Sequence, residues 1–437
     1  MMSGGFLWLA ASTGLLSLLT PCVFPMVPVT VAYFSAPEKN DAGIRRALLF
    51  GAGIIATFTV LGLALAAVFG AAGLNRFAAN PYVNLLLAAL FLIFAATLFG
   101  WLNFQLPWRL LTAANRAAEQ QQRGSLGALF MGAAFTMTSL TCTAPFVGTL
   151  LVLAAQGTWT TPVIGMLVYS TAFAVPFVLL AIAPRFVARL PRAGQWMQTV
   201  RILIGILEIG AAIKFVSNAD LVWGWGVFTR AAVLTLWAML ALFGAAYLAR
   251  RALSEDRGVG ALRLGGLAAA GGALLVSLWL ASGITGTPLR QVEAFLPPPA
   301  TTVLASTAGT TPSWILNDYS GALDEARRSG KLVFIDFTGY TCTNCRWMEA
   351  NIFSRPDVGA ELGQFVLARL YTDGDGELYQ RQQSFQERTF GTVALPLYAV
   401  VDGQGAVRAT FSGLTREPAE FISFLRNARA PKVATAQ

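Results

Sequence analysis

Long apolar runs constrain this chain more than any other feature of its sequence. A helix of about 18–25 apolar residues is long enough to cross the ~30 Å hydrocarbon core of a bilayer. The first two thirds of the chain contain eight such runs, at about 5–34, 46–73, 82–104, 126–155, 162–183, 200–217, 228–249 and 262–282. The sequence therefore predicts a polytopic α-helical membrane domain of about eight spans.

The composition changes along the chain. Overall, 55% of the 437 residues are hydrophobic and 12% are charged, whereas about 25% of residues are charged in soluble proteins. From about residue 312 onward the charge density is that of a soluble domain. We therefore predict a membrane domain at 1–284, a linker rich in Pro, Thr and Ala at 285–312, a soluble domain at 313–430 and a tail at 431–437.

The soluble segment alternates helical and extended patterns. Helices are predicted at 318–330, 342–354, 377–390 and 417–429, and strands at 331–339 and 365–372, with a strand pair before the last helix. This alternation, closed by a hairpin and a helix, predicts an α/β domain with a mixed sheet and helices on both faces.

Basic residues are concentrated in alternate connections between the runs. The connections after the first, third, fifth and seventh runs each have at least three Lys or Arg residues in or beside them, whereas the other connections contain only Arg76, with Lys214 and Arg230 at the edges of one of them. The positive-inside rule then places the basic connections in the cytoplasm and both termini outside it. The soluble domain is predicted to lie in a periplasm. The net charge of +9 comes mostly from the Lys and Arg that orient the membrane segments. We therefore expect a lipid bilayer, and no nucleic acid, as partner.

Three prolines interrupt the first run, in LLTPCVFPMVP. Pro21, Pro25 and Pro28 surround Cys22, and proline inside a helix removes a backbone donor and clashes with the preceding turn. Freed backbone groups are tolerated at membrane depth only inside protein or beside a water-filled cavity. The prolines therefore predict a cavity that gives Cys22 access to water.

The fourth run repeats part of this pattern. Cys142 and Pro145 have the same C-x-x-P spacing as Cys22 and Pro25. Because the two runs enter the membrane from opposite sides, the repeat predicts two inverted halves whose broken helices meet near the midplane. A chance match of four residues is the alternative.

Sulfur is the leading candidate for chemistry, because the chain has no histidine and four cysteines. In FIDFTGYTCTNCRWME, a buried strand leads into C-x-x-C at the start of a helix, where the helix dipole favours a thiolate. We predict Cys342 as the nucleophile and Cys345 as the resolving thiol. Zinc binding and a structural disulfide are the alternatives. Zinc needs further ligands, but the predicted domain has no other Cys or His.

Two other residues are candidates for the site or the membrane path. Pro396 stands between a helix and a strand, where a cis proline could pack against the C-x-x-C segment. Glu208 lies inside the sixth run, and ionisable residues within spans are candidates for proton transfer or docking. Pairing within the bundle is the structural alternative for Glu208.

The chain resembles the DsbD family of thiol:disulfide interchange proteins. FIDFTGYTCTNCRWME resembles the C-terminal, thioredoxin-fold domain of that family. LTPCVFPMVP and TSLTCTAPFVGTLL resemble its membrane domain, which is related to the cytochrome c biogenesis protein CcdA. These matches span almost the whole chain in the family's order.

The resemblance implies a route for reducing equivalents without metal, nucleotide or flavin. Cytoplasmic thioredoxin would reduce a disulfide between Cys22 and Cys142, which would then reduce Cys342 and Cys345. The periplasmic pair would reduce disulfide-containing or thioredoxin-like proteins, in support of disulfide isomerisation or cytochrome c maturation.

The resemblance also assigns two acidic positions and leaves alternatives open. Asp336 and Glu349 match carboxylates that lie beside the C-x-x-C in the family and raise its thiol pKa. The chain is expected to lack the N-terminal soluble domain of longer members, since it begins at the first span. A small-molecule transporter with an accessory thioredoxin-like domain and a non-catalytic cytochrome c assembly factor are the competing functions.

Overall fold

The computed structural model describes residues 4–19, 40–101, 127–133, 135–136, 160–182, 195–254, 261–298 and 313–430. These residues belong to two units. One unit is drawn from residues 1–74 and 90–209, and the other from residues 75–89 and 210–437.

The described part of the membrane domain is helical. The helices are α1 (Gly4–Leu16), α2 (Asn40–Ala79), α3 (Pro81–Leu98), α4 (Thr160–Ile182), α5 (Gln195–Trp223), α6 (Arg230–Ser254) and α7 (Ala261–Ser282). Within the described ranges, four helical segments are long and apolar enough to cross a membrane: Ile44–Ala64, Pro81–Leu98, Arg230–Ser254 and Arg263–Thr285. They correspond to the second, third, seventh and eighth predicted runs, and the total of eight spans stays a prediction.

Small residues allow close helix packing in the first unit. A Cβ on Gly14 of α1 would lie 2.5 Å from the carbonyl oxygen of Tyr169 in α4, so only glycine permits this approach. The buried hydroxyl groups of Ser17 and Tyr169 are 2.8 Å apart. Close backbone approach and interhelical hydrogen bonds are the interactions that hold helices together in lipid.

Residues 283–298, which we call the elbow, follow α7 in the second unit. The elbow contains 3₁₀ turns at Gly283–Thr285 and Arg290–Phe295. Its buried Leu289 and Leu296 belong to one apolar cluster with Val233 of α6. The predicted linker 285–312 therefore begins with a folded segment, because its leucines are buried in that cluster; residues 299–312 lie outside the described ranges.

The C-terminal domain contains a five-stranded sheet in the order β1-β3-β2-β4-β5. The strands are β1 (Trp314–Leu316), β2 (Val333–Thr338), β3 (Val366–Tyr371), β4 (Leu397–Val401) and β5 (Val407–Ser412). Strands β1, β3 and β2 are parallel, and β4 and β5 are antiparallel to their neighbours. The helices are α8 (Tyr319–Ser329), α9 (Thr343–Met348), α10 (Pro356–Leu362), α11 (Glu377–Phe390) and α12 (Pro418–Arg429).

Two apolar cores lie against this sheet. One contains Phe334, Tyr398 and Phe421, and the other contains Ile335, Phe337 and Leu370. Neighbouring residues of β2 thus belong to different cores, as expected for side chains that alternate between the faces of a strand. The predicted mixed sheet with helices on both faces is confirmed. The short strand β1 was not predicted, and the predicted helix 342–354 is α9 followed by a π-helical turn at Glu349–Phe353.

Candidate functional site

The C-x-x-C segment lies between β2 and α9. Cys342 caps α9, and its sulfur accepts a hydrogen bond from the N–H of Cys345 at 3.1 Å. The two cysteines form a disulfide with their Cα atoms 5.3 Å apart. Cys345 is buried and Cys342 is partly exposed. This difference in access is the one expected for an attacking Cys342 and a resolving Cys345.

Asp373 holds the loop that precedes Cys342. Its carboxylate accepts hydrogen bonds from the N–H groups of Tyr340 and Thr341, at 2.7 and 3.1 Å, and from the Thr341 hydroxyl at 3.1 Å. Burial raises the pKa of Asp373, and these hydrogen bonds oppose the shift. Asp373 was not predicted from the sequence. Its signal is its position just after β3, because the carboxyl ends of the parallel strands β2 and β3 meet at one edge of the sheet.

Asp336 and Glu349 belong to one buried group of charges, in which two arginines lie between them. Arg369 Nε lies 2.9 Å from Asp336 Oδ2, and Arg369 Nη2 lies 3.6 Å from Glu349 Oε1. Arg346 Nη2 lies 2.8 Å from the same Glu349 oxygen. We call Asp336, Arg346, Glu349 and Arg369 the charge cluster. Its side chains are at most 15% exposed.

Burial dominates the electrostatics of Asp336. It raises the pKa of this carboxyl to about 6, with the Arg369 charge acting in the opposite direction and Glu349 adding to the rise. The cluster carries two negative and two positive charges when all four groups are ionised. Neither arginine was predicted from the sequence, although Asp336 and Arg369 are direct partners in the register of β2 and β3.

Aromatic side chains line the loop beside Cys342. Tyr340 stacks on Tyr371 with ring centroids 4.1 Å apart, and its hydroxyl lies 3.2 Å from that of Tyr379. The Leu395–Pro396 bond is cis, as predicted, and the Pro396 carbonyl accepts a hydrogen bond from Gly413 at 2.9 Å.

The elbow contacts the helix that carries the C-x-x-C. The indole N–H of Trp347 donates to Gln291 Oε1 at 2.9 Å. The side-chain amide of Asn351 donates to the carbonyl oxygen of Arg290 at 3.3 Å. These contacts join the thioredoxin-like domain to the segment that follows α7.

The other candidate residues belong to the membrane domain. Glu208 is fully buried in α5, and neither of its carboxyl oxygens has a hydrogen-bond partner among the described residues. Its role in proton transfer or docking stays a prediction. The remaining predicted residues lie outside the described ranges: Pro21, Cys22, Pro25, Pro28, Cys142 and Pro145.

Comparison with known proteins decides the family. Residues 5–219 match a family model described as the cytochrome c biogenesis protein transmembrane domain, and residues 314–403 match a thioredoxin-like one. The chain is 31% identical over 373 residues to the thiol:disulfide interchange protein DsbD of Vibrio cholerae, covering 83% of this chain and 57% of that relative. The chain belongs to the DsbD family.

Other DsbD proteins are similar to the same extent. The protein from Vibrio vulnificus is 30% identical over 419 residues, covering 91% of this chain and 63% of the relative. The one from Pseudomonas fluorescens is 30% identical over 366 residues, covering 82% and 60%. The chain thus spans about three fifths of the length of these DsbD relatives.

Proposed function

We propose that this protein carries reducing equivalents across the bacterial inner membrane by thiol–disulfide exchange and delivers them to periplasmic protein disulfides. The single observation that carries the proposal is the pairing of an accessible Cys342 with a buried Cys345 at the start of a helix. Membership of the DsbD family supports the proposed transfer of reducing equivalents through the membrane domain. The whole would act as a protein-disulfide reductase.

The delivering step uses both sulfurs in turn. The Cys342 thiolate attacks one sulfur of the acceptor disulfide, and the other acceptor sulfur leaves as a thiolate that takes up a proton. The Cys345 thiolate then attacks the Cys342 sulfur and releases the second acceptor thiol. Two electrons pass to the acceptor, and the chain is left with the Cys342–Cys345 disulfide, the state seen in the structure.

The refilling step runs through the membrane pair. Reduced Cys22 and Cys142 would reduce the Cys342–Cys345 disulfide and would themselves be reduced by cytoplasmic thioredoxin. The potential of thioredoxin, near −270 mV, lies below that of disulfide isomerases, near −180 mV, so electrons flow outward. The clustering of Arg in alternate connections supports a periplasmic position for both termini and for the thioredoxin-like domain. The acceptors we propose are disulfide isomerases and proteins of cytochrome c maturation.

The test is thiol trapping in inside-out vesicles that contain the full chain. Reduced thioredoxin is added to the exposed cytoplasmic face, the reaction is quenched with acid, and free thiols receive a mass tag. We expect Cys342 and Cys345 to become reduced in the unchanged chain. Cys22→Ala or Cys142→Ala should abolish this reduction. Cys342→Ala is the matched control, because it should leave the membrane pair reducible.

Two outcomes would contradict the proposal. Either Cys342 and Cys345 stay oxidised with active thioredoxin, or they are reduced equally well without Cys22 and Cys142. Either result would mean that the membrane domain does not reduce Cys342 and Cys345. Transport of a small molecule would then be the first alternative function.

A further inference from the structure

The charge cluster is placed to act on the Cys342–Cys345 pair. Arg346 follows Cys345 directly, and its backbone N–H donates to the Cys342 carbonyl at 3.1 Å. Its guanidinium lies 3.5 Å from the Gly339 carbonyl, which also accepts the N–H of Cys342 at 3.3 Å. The cluster is therefore linked to the backbone of the nucleophile by one shared acceptor.

The cluster is buried, so its charges are weakly screened. Asp336 is 1% exposed, Arg346 4% and Arg369 8%. Salt and water screen the interactions of buried charges much less than those of surface charges. An uncompensated charge at this place would change the stability of a thiolate at Cys342.

The resemblance alone predicts that the two carboxylates oppose the thiolate. The structure instead pairs each of them with a guanidinium: Arg369 with Asp336, and Arg346 with Glu349. Arg369 also reaches Glu349 and lies over the Trp314 ring at 4.2 Å. This stacking and the double pairing fix the guanidinium between the two carboxylates.

We propose that Arg369 is a positioning residue that, together with Arg346, cancels the negative charge of Asp336 and Glu349 beside the C-x-x-C. The reduced pair can then hold a thiolate at Cys342 next to two buried carboxylates. This inference rests on the proposed redox role of the pair, and it adds to that role the groups that set its thiolate stability.

Other charged or titratable groups also surround the cluster. Lys214 of α5 interacts electrostatically with Arg346; as a cation it adds to the positive side and leaves both guanidinium–carboxylate pairs in place. Tyr398 of β4 faces Asp336, and its pKa is raised well above the usual value by burial, so it stays neutral. Tyr371 of β3 lies with its ring 5.8 Å from the Arg346 guanidinium. Asp373 is a further carboxylate that interacts with Arg346, and it accepts hydrogen bonds from the loop that precedes Cys342.

The test measures the pH dependence of Cys342 alkylation in the reduced full chain by mass spectrometry. Arg369→Gln should raise the midpoint by about one pH unit, because it leaves the negative charges of Asp336 and Glu349 with one balancing guanidinium instead of two, and nearby negative charge disfavours a thiolate. Arg369→Lys should restore more than half of the shift. Arg408→Gln, on the edge strand β5 and 4.0 Å from Asp402, is the matched control and should leave the midpoint unchanged.

The double variant Asp336→Asn/Arg369→Gln decides between cancellation and a purely structural role. It removes both partners of the ion pair and leaves no unpaired buried charge, so it should fold even if Arg369→Gln does not. We expect its midpoint to return close to that of the unchanged chain. A midpoint about one unit lower would show that Asp336 acts without compensation, and one about one unit higher would show that Arg369 acts without Asp336. Either result overturns the proposal.

Failure of this proposal and failure of the proposed function are separable. Alkylation reads the thiol of Cys342 directly and needs neither thioredoxin nor the membrane cysteines. A normal electron route with no effect of Arg369 on the midpoint would refute only the charge cancellation. The predicted midpoints in a chain that cannot be reduced from the cytoplasmic face would refute only the route.

Discussion

Two arginine–carboxylate sites in this protein, one partly buried and one more deeply buried, use the same groups in different ways. At the elbow, Arg230 of α6 and Glu293 form two contacts at 2.6 and 3.3 Å. Arg230 also donates to the Gly283 carbonyl at 2.5 Å, and Glu293 accepts the N–H of Leu289 at 3.0 Å. The elbow pair is therefore bonded to the backbone of the turn that it closes.

The charge cluster is less completely bonded. Within the described parts of the chain, Asp336 Oδ1 and the Arg346 atoms Nε and Nη1 have no hydrogen-bond partner. A buried pair contributes little net stability, but loss of one partner is costly. The Arg230–Glu293 pair therefore fixes a turn. The charge cluster, in our proposal, instead sets how stable a thiolate at Cys342 is.

The largest expected effect is on the rate of disulfide reduction, which should depend on the C-x-x-C site and not on the elbow. Cys342→Ser should lower the rate of disulfide reduction by about a hundredfold or more, because the attacking sulfur is lost. Glu293→Gln should retain at least about half of that rate, since the hydrogen bonds of the elbow to the thioredoxin-like domain, within the described residues, go to Trp347 and Asn351 and not to Cys342 or Cys345. Both variants are assayed in vesicles with reduced thioredoxin. Equal loss in both would show that the elbow belongs to the reaction path.

The second effect is on stability and belongs to the elbow. Glu293→Gln leaves Arg230 without its charged partner, and loss of charged hydrogen bonds in a partly buried pair costs about 2 kcal/mol. The expected result is a lower unfolding temperature in detergent and faster proteolysis within residues 283–298. The control Arg230→Met/Glu293→Leu removes both charges and should be milder. An unchanged unfolding temperature in Glu293→Gln would contradict the account of the elbow.

The third effect is a pH dependence that belongs to the charge cluster. Asp336 has a pKa raised by burial to about 6, so between its unfolded value and pH 6 the folded state binds more protons than the unfolded state. Stability from this group is full below about pH 4 and is lost as the pH rises through 6. The free energy of unfolding should fall by about 1 kcal/mol from pH 5 to pH 7.

Asp336→Asn provides the measurement for this slope. Because asparagine carries no titrating proton, the substitution should remove most of the decrease between pH 5 and pH 7, while Glu349 remains a charged partner of Arg369. Buried Asp373, whose pKa is also raised, contributes a decrease of the same sign in both chains. An identical slope with and without Asp336 would mean that this carboxyl does not titrate in the range.

The smallest effect concerns the contact between the elbow and the helix that carries Arg346. Gln291→Ala removes the acceptor of the Trp347 indole, an exposed hydrogen bond worth about 1 kcal/mol or less. We expect a shift in Trp fluorescence and a small increase in protease access to residues 283–298, with the alkylation midpoint of Cys342 unchanged. A changed midpoint would mean that the elbow also tunes the thiol.

The local parts of the site could be predicted from the sequence, because their signals are short in range. The strand that ends near Thr338, the helix that starts after Cys342 and the different access of the two cysteines all follow from one string of residues. The predicted helix 377–390 agrees with α11 at both ends. In each case, apolar pattern and capping act within a few residues.

The missing parts depend on pairings between distant residues. Arg369 reaches Asp336 only because β2 and β3 are parallel and in one register, and nothing within either strand sets that register. Arg230 and Glu293 are 63 residues apart, so no local pattern reveals their ion pair. Without that pair, the composition of the segment after α7 predicts a linker. Strand β1 is only three residues long, too short for a periodic pattern.

The most direct test of electron transfer from the membrane cysteines to Cys342 is to trap a mixed disulfide between them. Cys345→Ala is combined with Cys22→Ala or with Cys142→Ala, so that a mixed disulfide cannot be resolved, and the chain is mildly oxidised in vesicles. We predict a disulfide between Cys342 and the remaining membrane cysteine in at least one combination, identified by mass spectrometry of the linked peptides. No such link in either combination, with Cys342 free and reactive, would contradict electron transfer between the two pairs.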